Sequence, residues 1–405
     1  MKTKTASKKP VPLYRRKPLR CKTPLRIRKA ASEVSAVVRE DPAEYAGRLG
    51  FLDFFAGSGL VTEALRDEFR AVWANDNSRK KAEVYRINHG SGHFDGRSIE
   101  EVGGDDVPDA AVSWASSPCQ DLSLAGNLDG IHGERSGMIW HWLRVMREMG
   151  NRRPPIVVIE NVAGLVSAKQ GEYYRTLHRA LGALGYKAGA MLLDAVAWIP
   201  QSRPRIFVIG VPKDLPVDAY ADVGPNWLHP ESVQAARRGL SDWVWWKLPK
   251  PPARRVHLED IVEWDAEHHD EARSKRHLAL IADKHQTKLL QELANGFRVA
   301  PGYRRTRERQ VLELRFDGIA GCLRTPEGGS SRQYLVIKKE GRLVTRLITI
   351  REAARLMGAP ETYRLPAGYN DAYASLGDAV AVPPVRHLGE HLLAPLARLA
   401  MQAVV

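Results

Sequence analysis

Apolar and polar positions follow three successive rhythms along this chain. Residues 1–45 show no apolar period. From residue 50, short apolar runs alternate with amphipathic stretches. FLDFFAGSG reads as a strand entering a glycine turn, and a helix follows over 60–68. Further strands are predicted at 71–76, 110–116, 155–161 and 205–211. Helices are predicted at 138–149, with Met138, Trp142, Val145 and Met149 on one stripe, and at 173–184, stopped by Gly185. Strands alternating with helices define an α/β class with a doubly wound, mostly parallel sheet.

After Pro212 this rhythm stops. Trp227, Trp243, Trp245 and Trp246 stand among prolines and basic residues. Residues 270–296 read as helical, 298–309 as a basic stretch, and 316–347 as short strands around a glycine turn. TIREAARLMG (349–358) is an amphipathic helix, and the segment from Leu376 onward reads as a long helix packing back on the first domain. The expected organisation is a tail over 1–45, a main domain over 46–212 completed by 372–405, and a smaller irregular α+β domain over 213–371.

Charge changes the picture of the tail. The 405-residue chain has a formal net charge of +14. Residues 1–30 hold twelve Lys or Arg and no acid, which leaves only +2 on the rest. Four prolines and no apolar period predict a disordered tail, and a polycation of this kind favours phosphate backbones without reading sequence. No apolar run is long enough to span a membrane, and no apolar stretch follows the N-terminal charges as in a signal peptide. The three cysteines, Cys21, Cys119 and Cys322, give neither a disulfide framework nor a CxxC metal pair. A reduced, cytoplasmic setting and no metal are expected.

Candidate chemistry collects at predicted strand ends. Ala56-Gly57-Ser58-Gly59 forms a turn where backbone approaches a ligand closely. Asp76, at the next strand end, suits the two hydroxyls of a ribose. Together they indicate a nucleoside-containing cofactor without choosing between NAD and S-adenosylmethionine. Cys119, in Ser-Ser-Pro-Cys-Gln, is a nucleophile in a loop after a strand, or else a small buried apolar residue. Glu160-Asn161-Val162 puts a carboxylate at a sheet edge. In Gln-Ser-Arg-Pro-Arg, the alternation of a strand start places Arg203 and Arg205 on one side.

These elements, in this order, resemble the cytosine-C5 DNA methyltransferase family of bacterial or phage type. DFFAGSG, SSPCQ, ENV, QSRPR, TIREAARLMGAP and LGDAVAVPPV carry the resemblance, over about 50–212 and 315–390. It implies the S-adenosylmethionine-dependent methyltransferase fold, with S-adenosylhomocysteine as product and flipping of the base out of the duplex. Cys119 would attack cytosine C6, Glu160, protonated or sharing a proton, would hold N3 and the exocyclic amine, Arg205 would bind O2, and Arg203 would help hold the catalytic loop or the intermediate. Phe54, Ala56, Gly57 and Gly59 would line the methionine and ribose side, with Asp76 on the ribose. Ser98, Ile99 and Pro118 would stand near the adenine, and Asp378 and Ala379 would complete the cofactor site. Two departures matter: the family often has Asp where Ser98 stands, and commonly Asn where Asp378 stands.

The glycine-rich loop after Cys119 would close over DNA, and Arg324 with residues 328–332 would face it. The irregular region 213–320 would read the target sequence. Double-stranded DNA, a cognate restriction endonuclease and a monomeric state are the expected partners and assembly, in a bacterial nucleoid or a phage-infected cytoplasm. Three other readings compete: an RNA cytosine methyltransferase of the same fold, a DNA-binding regulator without catalysis, and a nicotinamide-dependent oxidoreductase.

Overall fold

The computed structural model describes residues 47–118, 137–306, 308–325 and 331–403. The basic tail, Cys119 and the glycine-rich loop after it, and Gly328 to Ser330 lie outside the described residues.

Seven strands form the main sheet: β1 (Leu49–Phe54), β2 (Phe69–Asn75), β3 (Phe94–Asp95), β4 (Val112–Ala115), β5 (Ile156–Asn161), β6 (Tyr186–Asp194) and β7 (Pro204–Pro212). Their order is β3-β2-β1-β4-β5-β7-β6. All pairings from β3 to β5 are parallel, whereas β7 runs antiparallel to both β5 and β6. Helices α1 (Leu60–Leu65), α2 (Arg79–His89) and α3 (Met138–Glu148) follow β1, β2 and β4.

The period-2 rule of a strand sets the two cores. Phe51, Ile156 and Val158 join the apolar cluster on one face of the sheet, while Leu52, Phe54, Val157 and Ile159 join the cluster on the other. The chain order reverses between β1 and β4, so a crevice opens beyond the carboxyl ends of β1, β2, β4 and β5. β7 is the exception that serves this edge. Because it runs backwards, its first residues reach the edge where its neighbours end, with Asn161 opposite Ile206 and Glu160 opposite Phe207. A motif that precedes a strand thereby joins motifs that follow strands.

The segment after β7 is more ordered than its composition suggests. Leu215, Leu228, Val244, Trp246, Leu248 and Leu258 enter the same core as Phe51 and Trp114, and the Trp246 indole donates to the Ile209 carbonyl at 3.1 Å. Beyond it stands a four-stranded antiparallel sheet, ordered Gln310–Leu314, Val299–Thr306, Gln333–Lys339, Arg342–Leu347. The stretch expected only to be basic at 298–309 is largely its second strand. Helix Ile350–Leu356 begins with a reciprocal cap in which Thr349 Oγ1 accepts from the Glu352 amide and the Glu352 carboxylate accepts from the Thr349 amide. The C-terminal helical run begins at Val382, not Leu376. It carries one π turn at Gly389–Leu393, and its first part packs on α1.

Candidate active site

The turn after β1 passes through Phe55, Gly57 and Gly59, all with φ between 57° and 88°. Ala56 and Gly57 line the crevice, but Gly59 does not. A Cβ on Gly59 would stand 2.5 Å from His89 Cδ2 and 2.9 Å from Tyr85, so this glycine is demanded by the packing of α1 against α2. Phe54 is a second correction. It is fully buried, its ring 4.7 Å from that of Trp73, because strand alternation turns it into the core. Phe55, the next residue, lines the crevice instead.

Asp76 stands just past the end of β2. Its carboxylate accepts from the amides of Gly57 at 3.0 Å and Ser78 at 2.8 Å, tying the acid to the glycine turn. Burial raises its pKa above the ordinary carboxylate value, while those amides and Lys81 oppose the rise. Ile99 is buried and lines the crevice. Ser98 does not line it, and its hydroxyl lies 3.4 Å from the Glu100 carboxylate. Below the turn, Asp53 is wholly buried, with Thr62 as the donor to Oδ2 and no partner for Oδ1. Desolvation pushes its pKa up to about 7, against the Thr62 hydrogen bond and with help from nearby Asp76.

The ends of β4 and β5 and the start of β7 form the opposite wall. Ser117 and Pro118 line it beside Glu160, Asn161 and Arg205. Asn161 donates to the Ser117 carbonyl at 3.2 Å, tying the end of β5 to the segment after β4. Glu160 is 6% exposed and pairs with Arg205, Nε to Oε1 at 3.0 Å. Arg203 and Arg205 do not share a side, contrary to the alternation argument. Arg203 precedes the strand, and its amide is held by Asp194 Oδ1 at 2.7 Å. Its guanidinium is buried away from the crevice. It donates to the carbonyls of Leu323 (2.8 Å), Gly377 (2.9 Å) and Ala379, and to Cys322 Sγ (3.1 Å). Desolvation, then the charge of Arg205, lowers its pKa to about 10, so it stays charged at neutral pH.

The third wall comes from late in the chain. Asp378 and Ala379 line the crevice, and Gly377 is pressed so closely on another loop that a Cβ would stand 2.5 Å from the Arg324 carbonyl carbon. The departure at Asp378 has a local answer. Its Oδ2 meets Lys81 Nζ at 2.7 Å and its Oδ1 accepts from the Thr325 hydroxyl. Lys81, Asn77, Ser78, Arg305 and Arg315 also line the crevice and had not been expected there. Lys81 had a signal: it lies on α2 five residues after Asp76, about one turn into the helix that faces the glycine turn. The arginines had none, since their placement follows from the small sheet. The whole crevice has a volume of about 1330 Å³, ample for a nucleoside cofactor with a second ligand.

An open sheet with a glycine turn, a strand-end acid and a carboxylate–arginine pair around its switch point defines an α/β enzyme of the nucleoside-cofactor type. The chain belongs to the C-5 cytosine-specific DNA methylase family, whose model matches residues 49–394; it is a DNA (cytosine-5-)-methyltransferase. The type II methyltransferase M.BsuFI of Bacillus subtilis is 26% identical over 343 residues, 84% of this chain and 71% of the relative. The type II methyltransferase M.HhaI of Haemophilus parahaemolyticus is 24% identical over 347 residues, 85% and 94% of the two chains. The crystal structure of S. pombe Dnmt2 methyltransferase has the same fold, with a TM-score of 0.55 at 19% identity, covering 88% of this chain and all of that one. Family membership removes the oxidoreductase reading. Among the described residues no helix is long and apolar enough to cross a membrane, and no cluster of three or more His, Cys, Asp or Glu could hold a metal.

Proposed function

We propose that the protein methylates C5 of cytosine in a specific duplex DNA sequence, with S-adenosylmethionine as donor and Cys119 as covalent nucleophile. The observation that carries this reading is the convergence, in one crevice, of the Gly57–Asp76 corner and the Glu160–Arg205 pair, with Pro118 lining the same crevice. The residues fit the cofactor. Gly57 leaves room beside the turn, Asp76 is set to take ribose hydroxyls, and Ile99 offers an apolar wall for adenine. When bound, S-adenosylmethionine supplies an electrophilic methyl group.

The protein's own residues do the rest. The Cys119 thiolate adds to C6, which places the ring's electron density on C5. Glu160 shares a proton with N3 and accepts from the amine as that density develops, and Arg205 holds O2. After C5 takes the methyl group, its proton leaves to a base, and the returning electrons expel the thiolate. Cytosine reaches such a crevice only if it leaves the stack, so flipping is part of the reading. Arg203 acts through others, holding the loops at 323 and 377–379 against the sheet. Asp378 and Ala379 complete the cofactor side, and Phe54 and Gly59 support it from behind.

The division of labour proposed is catalysis by 46–212 with 372–405, recognition by 213–371, and non-specific phosphate contact by the tail. A monomer acting on cytoplasmic DNA, alone or beside a cognate restriction endonuclease, completes the proposal. The test is transfer of labelled methyl to duplex DNA containing 5-fluorocytosine. The wild-type protein should form a denaturation-resistant adduct that Cys119→Ser lacks. Incorporation into tRNA alone would overturn the DNA reading.

A further inference from the structure

We infer that Lys81 and Asp378 form a subsite for the zwitterionic amino-acid end of S-adenosylmethionine, with Lys81 taking the carboxylate and Asp378 the ammonium. This rests on the cofactor reading above and assigns its charged end. Both side chains line the crevice, and they face each other across it at 2.7 Å. The Lys81 stem passes the glycine turn, with Cδ 4.0 Å from where a Gly57 Cβ would stand. The pair therefore sits at the turn, where the end of the cofactor remote from adenine belongs once Asp76 holds the ribose.

The pairing is set up to exchange. The two side chains are 25% and 42% exposed, and an ion pair in contact with water is weakly held. A zwitterion carries one charge for each partner, so opening one pair allows two to form. The scaffold on both sides is fixed independently. Lys80, the neighbouring residue, staples α2 to Asp371 at 2.7 Å on the surface. Gly377 abuts the 324–325 backbone, and Ser58 Oγ donates to the Ser375 carbonyl at 2.9 Å. Without Lys81, the carboxylates of Asp76 and Asp378 would both face the cofactor carboxylate, and like charges disfavour binding.

The test is calorimetric binding of three ligands: S-adenosylhomocysteine, its decarboxylated analogue, and 5′-deoxy-5′-methylthioadenosine, which lacks both charges. Lys81→Met should weaken S-adenosylhomocysteine about tenfold, the scale of one charged hydrogen bond, and leave the other two unchanged. Asp378→Ala should weaken both amine-bearing ligands and spare methylthioadenosine. Lys80→Met should change none. Equal loss for all three ligands in Lys81→Met, or no loss, overturns the subsite while leaving the cofactor reading intact. A wild-type protein that binds none of the three overturns both.

Discussion

The large sheet and the small sheet meet one crevice with opposite charge and opposite rigidity. The large sheet presents acids at its strand ends, Asp76 and Glu160, each already held by backbone amides or by Arg205. The small sheet and its loops present Arg305, Arg315 and Arg324. Of these, Arg315 spends its guanidinium on Asp317, two residues away, with both side chains well exposed. Groups that handle a reacting base need a fixed geometry, and burial among fixed partners supplies it. Groups that meet a DNA backbone need only charge and reach, and exposed arginines supply those cheaply. Arg203 joins the two, anchored beside β7 and donating to loops on the other side of the crevice.

That joint is where the contrast breaks most completely. Arg203→Ala removes four hydrogen bonds and leaves buried carbonyls without donors. A loss of about 3–5 kcal/mol is expected, since several buried acceptors lose a charged donor at about 1–3 kcal/mol each. Denaturant unfolding should show it as a lowered midpoint. Arg203→Lys should recover little, because one ammonium cannot reproduce the planar fork. A variant as stable as wild type would mean that the two sides are held together by other contacts.

The next effect sharpens the large-sheet side alone. Asp53 has a pKa raised to about 7 by burial from an ordinary 3.8. A raised value means that its contribution to stability is full below 3.8 and is lost as pH rises through 7. Wild-type stability should therefore fall, relative to Asp53→Asn, by about 2–3 kcal/mol between pH 5 and pH 8. Paired unfolding curves at the two pH values measure this. A difference that does not change with pH would count against a protonated acid beneath the glycine turn.

The smallest effect belongs to the small-sheet side. Arg315→Gln should leave kcat and stability near wild type and weaken DNA binding modestly. The logarithmic salt dependence of binding should drop by about one unit, one phosphate contact's worth. An unchanged slope would place Arg315 off the DNA path.

Local chemistry explains what was legible. The strands ending at Phe54, Asn75 and Asn161, and the helix over Met138–Glu148, follow from apolar period and from glycine or polar stops, which act within a few residues. β6 was not expected, although YKAGAMLLD is strand-forming, since pairing with β7 is what orders it. Val299–Thr306 read as a basic stretch because Pro301, Gly302, Arg304 and Arg305 obscure its alternation, and its two flanking strands override that local signal.

By itself, then, the sequence determined the α/β order, the strand-end positions of Gly57, Asp76 and Glu160, and, through resemblance, the family and the candidacy of Cys119. Only the tertiary structure decided which way the neighbours face. It turned Phe54 into the core and Gly59 against His89, parted Arg203 from Arg205, and brought Lys81 to Asp378 across nearly three hundred residues of chain. Period and turn chemistry are properties of a few adjacent residues, whereas facing depends on what packs from elsewhere. A strand reversed in the sheet, such as β7, changes that without changing any local signal.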